Sequence, residues 1–364
     1  MASKMFPSPP PPVSKNVFSI AGILTTVYGL DELSSATPNV ACLWLQHPRL
    51  KTQAYMEGLA NAAVSSWNEH LKNANPAQPE GLIAVSFDQR NHGSREVDPL
   101  ANEAWRSGNP RHAQDMFSIY HGTALDTLHL LTHLSAYIFP HTNPPQHNLT
   151  RNLVLGISLG GHSAYQTLLL SPRFTSAIII IGCPDFPRLM LQRAEKSKRP
   201  SFNTSKPPGT TFFGSQDFPP GLVDAVRESD PSSLLTGSLL SDHPPPPGPE
   251  SNTTAPCHAS PSATRRERIS HHLSNKRMLV LSGGADKLVP YMCSAPFLSY
   301  LKEANAGWFR EGGLSIEDIV YDGVGHETTP QMAQAAVRFI IECLSSPRPA
   351  PDLRPTINPG GAKI

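Results

Sequence analysis

Two hydrophobic patterns alternate along most of the chain. Short runs rich in β-branched residues predict buried strands, and longer stretches with apolar residues three and four positions apart predict amphipathic helices. The predicted strands are 17–24 (with Leu30 after a turn), 40–45, 82–87, 153–156, 177–181, 278–282 and 316–321. The predicted helices are 52–71, 116–138, 161–170, 292–304 and 330–344. This alternation is typical of an α/β fold with a doubly wound, mostly parallel sheet.

One long interval, residues 184–275, does not follow the alternation and is interpreted as an insertion. It contains no convincing buried strand, and only residues 190–194 and 222–226 show weak helical periodicity. Residues 242–262 are rich in Pro, Ser and Thr, which predicts a disordered tract. The chain therefore divides into a flexible N-terminus (1–16), a first core part (17–183), the insertion (184–275), a second core part (276–345) and a flexible tail (346–364).

Composition and charge narrow the classes of function. The 364 residues carry 30 Lys and Arg against 29 Asp and Glu, a net charge of +1. Such a balance lacks the clustered positive charge that nucleic-acid binding needs, so a nucleic-acid partner is not expected. No apolar run approaches the ~18 residues of a membrane span, so no span is expected either. The 38 Pro residues, about twice the usual share, predict many loops.

The two ends of the chain and the cysteines give indications of the cellular location of the protein. Residues 1–15 are dominated by Pro and lack the apolar stretch of a secretory signal. Five scattered cysteines without a close pair are interpreted as free thiols, which favours a reducing, cytoplasmic location. The C-terminal Ala362-Lys363-Ile364 is a near match to a peroxisomal signal, so a peroxisomal location is an alternative. The oligomeric state cannot be read from these patterns.

The motif with the clearest chemistry is Gly156-Ile157-Ser158-Leu159-Gly160. It follows a predicted strand and precedes a predicted helix. Small residues two positions before and after the serine are needed where a strand reverses sharply into a helix, and that turn exposes the serine in a strained backbone conformation. Ser158 is therefore the candidate nucleophile.

A candidate acid and base follow in the chain order that such a serine requires. Asp286 lies just after the predicted strand 278–282, and His326 lies after the strand that ends at Tyr321. Both therefore lie at carboxyl ends of strands, the edge at which ligands bind in open α/β sheets. Asp185, which follows the preceding strand, is the alternative acid.

With these motifs the chain resembles the α/β-hydrolase superfamily, in its esterase, lipase and thioesterase branch, over residues 17–344. The loop 87–93 resembles the family's D-x-R-G-x-G turn, with Asn91 in place of the usual Gly, and is interpreted as structural. The resemblance implies that the insertion 184–275 is a cap that covers the active site and sets substrate choice.

The residue chemistry assigns a role to each candidate. Ser158 needs His326 to remove its proton, and Asp286 fixes the imidazole tautomer and stabilises the imidazolium. One oxyanion donor is expected at the backbone N–H of Leu159. The resemblance implies a second donor in the loop after the third strand. Pro48 there has no N–H, so the backbone N–H of Arg49 is the expected donor.

These expectations describe a serine hydrolase that cleaves a small-molecule carboxylic ester, thioester or lactone through an acyl-serine intermediate. Acyl transfer on the same three residues, or a non-catalytic ligand-binding protein that retains the fold, are the alternatives. No cofactor is implied. His129 and His133 lie four apart on one predicted helix, but no third ligand accompanies them, so a solvated or packed helix face is favoured over a metal site.

The first part of the insertion is basic. Residues 188–206 contain Arg188, Arg193, Lys196, Lys198, Arg199 and Lys206 against Glu195 alone. An exposed, solvated face is the favoured interpretation. The alternative is a basic cap that selects an anionic substrate such as an acyl-CoA.

Overall fold

The computed structural model describes residues 5–35, 37–74, 79–140, 147–240 and 264–347. The strands are β1 Lys15–Ile20, β2 Ile23–Tyr28, β3 Asn39–Gln46, β4 Glu80–Phe87, β5 Asn148–Ile157, β6 Phe174–Ile180, β7 Arg277–Gly283 and β8 Ser315–Tyr321. The helices are α1 Glu57–Ala74, α2 His112–Ile138, α3 Leu159–Leu170, α4 Phe186–Lys196, α5 Pro200–Asn203, α6 Pro220–Ser229, α7 Pro231–Thr236, α8 Arg265–Leu273, α9 Tyr291–Ala306 and α10 Pro330–Ser345.

All eight strands form one sheet in the order β1-β2-β4-β3-β5-β6-β7-β8. The β1–β2 and β2–β4 pairs are antiparallel, and every other neighbouring pair is parallel. The predicted mostly parallel sheet is confirmed. Because the parallel strands run in one direction, the loops that follow β3, β5, β6, β7 and β8 all begin at the same edge.

The sheet is covered by helices on both faces, as a doubly wound fold requires. Along β3, Val40, Cys42 and Trp44 pack with α2, α3 and α9 on one face. The alternate residues, Leu43 and Leu45 among them, pack with α1 and α10 on the other. This two-residue alternation of fully buried side chains explains why the central strands are continuous apolar runs.

The first predicted strand, 17–24, is wrong as a single element. A tight turn at Ala21 (φ 51°) and Gly22 (φ 78°) divides it into β1 and β2, which pair as a hairpin. Two consecutive positive φ values match the twist of a two-residue hairpin turn, and Gly22 adopts one of them without strain. Ile20 and Ile23 are buried on either side of the turn, so the apolar pattern runs through it without a break.

The segment predicted as an insertion packs in two places. Helices α4 and α6 form a third apolar cluster with the start of α2 and with Trp105. By contrast, Ile269 and Leu273 of α8 join the cluster on the sheet. The domain boundaries, including 184–275 as a cap, stay predictions.

Several predicted features lie outside the described residues. They are the disordered tract 242–262, Cys257, most of the tail 346–364 with its C-terminal tripeptide, and the first four residues of the N-terminus. Within the described ranges, no helix combines the length and the apolar character that crossing a bilayer requires.

Candidate active site

Ser158 occupies a strained turn between β5 and α3. Its backbone has φ 54° and ψ −111°, a region that non-glycine residues rarely adopt. The turn is held from both sides, since the Ser158 N–H donates to the Ile180 carbonyl (2.9 Å) and the Ser158 carbonyl accepts from the His162 N–H (3.1 Å). Helix α3 begins at Leu159, two residues before the predicted start, so Ser158 lies at the helix N-terminus.

The two flanking glycines permit close backbone contacts. A Cβ at Gly156 would lie 2.0 Å from the Gly160 carbonyl oxygen, and a Cβ at Gly160 would lie 2.0 Å from that of Gln46. Both distances are far below van der Waals contact, so neither position accepts a side chain. The second contact also fixes the loop after β3 directly against the Ser158 turn.

The structure brings Ser158, His326 and Asp286 together. The Ser158 Oγ lies 2.8 Å from His326 Nε2, and His326 Nδ1 lies 2.7 Å from Asp286 Oδ2. The Asp286 side chain is fully buried and that of His326 is 21% exposed. The chain of contacts therefore runs from a buried carboxylate, through a partly exposed imidazole, to the Ser158 hydroxyl.

Asp286 is held as a carboxylate. Its other oxygen accepts the backbone N–H groups of Leu288 (2.8 Å) and Val289 (2.9 Å). Burial acts to raise the pKa of Asp286, but the hydrogen bond and charge of His326 and these two N–H groups outweigh it and hold the pKa below its ordinary value. An ionised Asp286 accepts from His326 Nδ1 and leaves Nε2 as the acceptor that faces Ser158.

Asp185, the alternative acid, makes other contacts. Its carboxylate caps α4 by accepting the Arg188 backbone N–H (3.0 Å), and it pairs with the Arg188 guanidinium (3.2 Å). It also lies near Asp230, whose carboxylate accepts the N–H groups of Phe186 and Ser233. Burial raises the pKa of Asp185, and burial together with the Asp185 charge raises that of Asp230 well above its ordinary value.

The two expected oxyanion donors lie in neighbouring segments. Leu159 is the first residue of α3, so its N–H has no acceptor within the helix. The loop after β3 is fixed by His47, whose Nε2 accepts the Gln89 N–H (2.9 Å) and whose carbonyl accepts the Gln89 side chain. Burial lowers the pKa of His47 to about 4, so this imidazole is neutral. The role of the Arg49 N–H stays a prediction.

Ser158 and His326 line a cavity of about 140 Å³. Its wall combines the apolar side chains of Trp105, Met116, Leu159 and Leu288 with the cationic side chains of Arg49, Arg106, Arg193, Lys196 and Lys287.

The side chains of the basic segment 188–206 form ion pairs in some cases and line this cavity in others. Arg188 pairs with Asp185, and Arg199 pairs with Asp217 at 2.6 Å. Arg193 and Lys196 instead line the cavity. The solvated-face interpretation therefore does not fit Arg193, whose pKa is lowered to about 10 by burial and by the charge of Arg49.

Trp105 and His112 are lining residues that the sequence did not reveal. Trp105 lies in a short 3-10 turn and His112 starts α2. The rings contact edge to face at 5.1 Å between centroids. Burial, with the charges of Arg193 and Arg49, lowers the pKa of His112 to about 3, so its imidazole is neutral. Neither residue belongs to a motif, and the periodicity of α2 marks only its core-facing residues.

The loop after β4 has the geometry of a rigid turn. Asn91, which replaces the expected Gly, adopts φ 57°, and Asn tolerates this conformation better than most residues. Its side chain accepts the N–H groups of Val97 and Asp98 (both 2.9 Å). Asp88 accepts the N–H groups of Gln53 and Ser94 (both 2.8 Å). These contacts fit the structural role expected for the loop.

His129 and His133 lie on α2 with their ring centroids 4.8 Å apart. Over the part of the chain that the structure describes, no group of three or more His, Cys, Asp or Glu side chains is arranged to hold a metal ion.

Three solved structures that are similar to this chain have low sequence identity to it. TT1662 from Thermus thermophilus has 19% identity and a TM-score of 0.52, over 92% of this chain and 99% of its own. An S-formylglutathione hydrolase from Agrobacterium tumefaciens has 16% identity and a TM-score of 0.47, over 92% and 100%. The Pyrococcus horikoshii acylaminoacyl peptidase has 13% identity and a TM-score of 0.46, over 91% of this chain and 41% of its own.

No curated protein matches the sequence. A family model does match it: the model described as "Alpha/beta hydrolase family" covers residues 59–339, well over half of the chain. This match agrees with the mostly parallel sheet flanked by helices. The chain belongs to the alpha/beta hydrolase family.

Proposed function

We propose that the protein is a serine hydrolase that cleaves a carboxylic ester, thioester or lactone through an acyl-Ser158 intermediate. The observation that carries the proposal is the continuous chain from Asp286 through His326 to the Ser158 Oγ, with contacts of 2.7 and 2.8 Å. A serine hydroxyl is a weak nucleophile until an adjacent base accepts its proton. Ser158 also opens onto a cavity that can receive the acyl group.

In the first half of the reaction, Ser158 Oγ attacks the substrate carbonyl carbon as His326 Nε2 takes its proton. The tetrahedral intermediate then collapses, and the bond to the leaving alcohol or thiol breaks as His326 returns the proton to it. In the second half, a water molecule attacks the acyl-serine with His326 again as the base. The carboxylic acid leaves and Ser158 regains its hydrogen. Asp286 stays ionised throughout and stabilises the imidazolium.

The negative charge of the intermediate needs donors at the start of α3. The Leu159 N–H lies directly after the nucleophile, and the N-terminal end of the helix dipole favours an anion there. We propose the Arg49 N–H as the second donor. The close contact of Gly160 with Gln46 supports this choice because it fixes the loop 46–49 beside the Ser158 turn. Loss of such a donor typically costs ~3 kcal/mol of transition-state stabilisation.

The test is labelling with a fluorophosphonate probe, followed by peptide mapping. The probe reacts with a serine only where a base activates it, so we expect label on Ser158 in the wild-type protein and none in His326→Ala. Ser163→Ala is the matched control, because Ser163 is a buried serine on the same helix and its loss leaves Ser158 and His326 intact.

The outcomes separate the proposed function from its alternatives. Label on Ser158 that persists in His326→Ala contradicts the proposed base. A folded protein without label contradicts the hydrolase proposal and favours a ligand-binding protein that retains the fold. If label is found, release of free acid from a panel of esters and thioesters, measured with and without added alcohols or amines, distinguishes hydrolysis from acyl transfer.

A further inference from the structure

The cavity beside Ser158 has a strongly one-sided charge. Five cationic side chains line it, those of Arg49, Arg106, Arg193, Lys196 and Lys287, and no Asp or Glu is among its described lining residues. The chain as a whole has a net charge of only +1. The positive charge is therefore concentrated at this cavity and is not a general property of the surface.

Arg193 is a half-buried cation in the wall of the cavity, and its hydrogen bonds all go to neutral acceptors. Its Nη1 donates to His112 Nε2 and lies 3.0 Å from Met116 Sδ, and its Nη2 donates to the Leu288 carbonyl (3.0 Å). His112 is fixed as the neutral acceptor because its Nδ1 donates to the Glu103 carbonyl. The guanidinium is thus held in place and forms no ion pair among the described residues, although the charge of Asp286 favours its protonated form.

Other arginines in the same protein are compensated by aspartates. Arg90 pairs with Asp126 (2.9 Å), and Arg199, on the same segment as Arg193, pairs with Asp217 (2.6 Å). Burial of a cation without an anion is costly. A fixed and unpaired guanidinium at the wall of a cavity is the usual arrangement for binding an anionic ligand.

The cationic side chains at the rim of the cavity also lack ion pairs among the described residues. Arg106 donates to the Lys196 carbonyl, and Lys196 Nζ donates to the Lys287 carbonyl (3.2 Å). Backbone carbonyls thereby hold the exposed side chains of Arg106 and Lys196 at the rim, where the side chain of Lys287 also lines the cavity, and among the described residues none of the three forms an ion pair. Like charges that line one cavity repel one another unless an anion lies between them.

We propose that the substrate of the Ser158 site carries an anionic group, carboxylate or phosphate, and that Arg193 binds it. This inference rests on the proposed function and names its substrate class. A carboxylate would belong to the acyl group and enter the cavity, whereas phosphates would belong to the leaving group, as in a coenzyme A thioester, and would reach Arg193 from the rim of the cavity. Arg193 acts here as a specificity-determining residue.

The experiment compares kcat/KM within two substrate pairs that differ in charge. The first pair is 4-nitrophenyl hydrogen succinate and 4-nitrophenyl 4-methylpentanoate, in which a branched alkyl end replaces the carboxylate. The second is butyryl-CoA and the neutral thioester S-butyryl-N-acetylcysteamine. We expect the wild-type protein to prefer the anionic member of one pair by about 10- to 100-fold, the value of a hydrogen bond to a charged group.

Variants of Arg193 test whether this residue causes the preference. In the pair that shows it, Arg193→Met is expected to reduce the ratio of kcat/KM for the anionic substrate to kcat/KM for the neutral one to near 1. Arg193→Lys is expected to restore part of this ratio. Arg310→Met is the matched control, because Arg310 is exposed in the turn between α9 and β8, at the opposite edge of the sheet. Raising the ionic strength from about 0.05 to 0.5 M is expected to weaken the preference in the wild-type protein.

An active enzyme with no preference in either pair, or with a preference unchanged in Arg193→Met, overturns the inference and leaves the proposed function standing. If Ser158 takes no fluorophosphonate label and no substrate is turned over, the proposed function fails and a binding measurement decides the inference. Calorimetry of Ser158→Ala with succinanilic acid, against 4-methyl-N-phenylpentanamide, is then expected to show at least tenfold tighter binding of the acid. Adding Arg193→Met is expected to abolish the difference, and equal binding of both amides contradicts the inference.

Discussion

Asp185 and Asp286 occupy equivalent places in the fold. Each follows one of two neighbouring parallel strands, β6 and β7, at the edge of the sheet where Ser158 lies. Both are buried, and both accept backbone N–H groups two or three residues further along the chain. Strand position and local turn chemistry are therefore the same for both.

Their partners differ. Asp286 faces His326, and the hydrogen bonds that it accepts hold its pKa below the ordinary value despite burial. Asp185 faces Arg188 and the second buried carboxylate Asp230, and burial raises its pKa. The difference teaches that equivalent places in the fold do not give equivalent roles. His326, from a distant part of the chain, helps to outweigh the burial of Asp286, whereas the nearby Arg188 does not outweigh that of Asp185.

The largest expected effect comes from exchanging each of the two carboxylates for an amide. Asp286→Asn is expected to lower kcat/KM on the best ester by on the order of 10⁴, because the amide donates to His326 Nδ1 and favours the wrong imidazole tautomer. Asp185→Asn is the matched control and is expected to stay within about tenfold of wild type, since an amide oxygen still accepts the Arg188 N–H. Both variants are assayed at the same pH, after their melting temperatures have been compared. A larger loss in Asp185→Asn would assign the acid to β6.

This pair of residues also shows how far the sequence alone could go. The spacing of Gly156, Ser158 and Gly160 and the chain order predicted which side chains meet, and the strand pattern predicted the sheet. Asp286 was predicted as the acid and Asp185 as the alternative. In the structure it is Asp286 that faces His326, a contact between residues 40 positions apart that no local pattern encodes.

Other features were beyond prediction for related reasons. The Ala21-Gly22 turn was hidden because buried residues flank it on both sides. Trp105 reaches the cavity from a short 3-10 turn, which has no hydrophobic periodicity to reveal its direction. Arg193 was visible as one charge of a basic run, but only the fold separates it from Arg199, which has an aspartate partner.

A smaller effect, on stability, tests the Asp185 side of the comparison. Asp230→Ala is expected to reduce the free energy of unfolding by about 3 kcal/mol near pH 5, because the buried N–H groups of Phe186 and Ser233 lose their acceptor and α7 loses its cap. Since the pKa of Asp230 is raised in the folded state, the folded protein binds more protons than the unfolded chain above pH 3.8. The contribution of Asp230 therefore falls as the pH rises.

Urea unfolding of the wild-type protein and Asp230→Ala at pH 5 and pH 8 checks this sign. The decrease in the free energy of unfolding caused by Asp230→Ala is expected to be larger at pH 5 than at pH 8. Asp224→Ala on α6 is the control, because its exposed pair with Arg227 is worth no more than about 0.5 kcal/mol at either pH. A loss from Asp230→Ala that is equal at both pH values, or larger at pH 8, contradicts a raised pKa.

The smallest expected effect concerns His162, which ties α3 to the chain between β6 and Asp185. Its Nδ1 lies 2.8 Å from the Cys183 carbonyl oxygen, and burial lowers its pKa from 6.5 to about 3. The unfolded chain therefore binds a proton at His162 below pH 6.5 that the folded protein excludes, and stability present above pH 6.5 is lost as the pH falls. Between pH 7.5 and 5 this loss in the free energy of unfolding is about 2 kcal/mol.

Urea unfolding of two variants tests this contribution. His162→Asn, whose amide replaces Nδ1, is expected to remove this part of the pH dependence of the free energy of unfolding, whereas His133→Asn on the exposed face of α2 is expected to keep it. An unchanged slope in His162→Asn would mean that the folded protein accepts the proton.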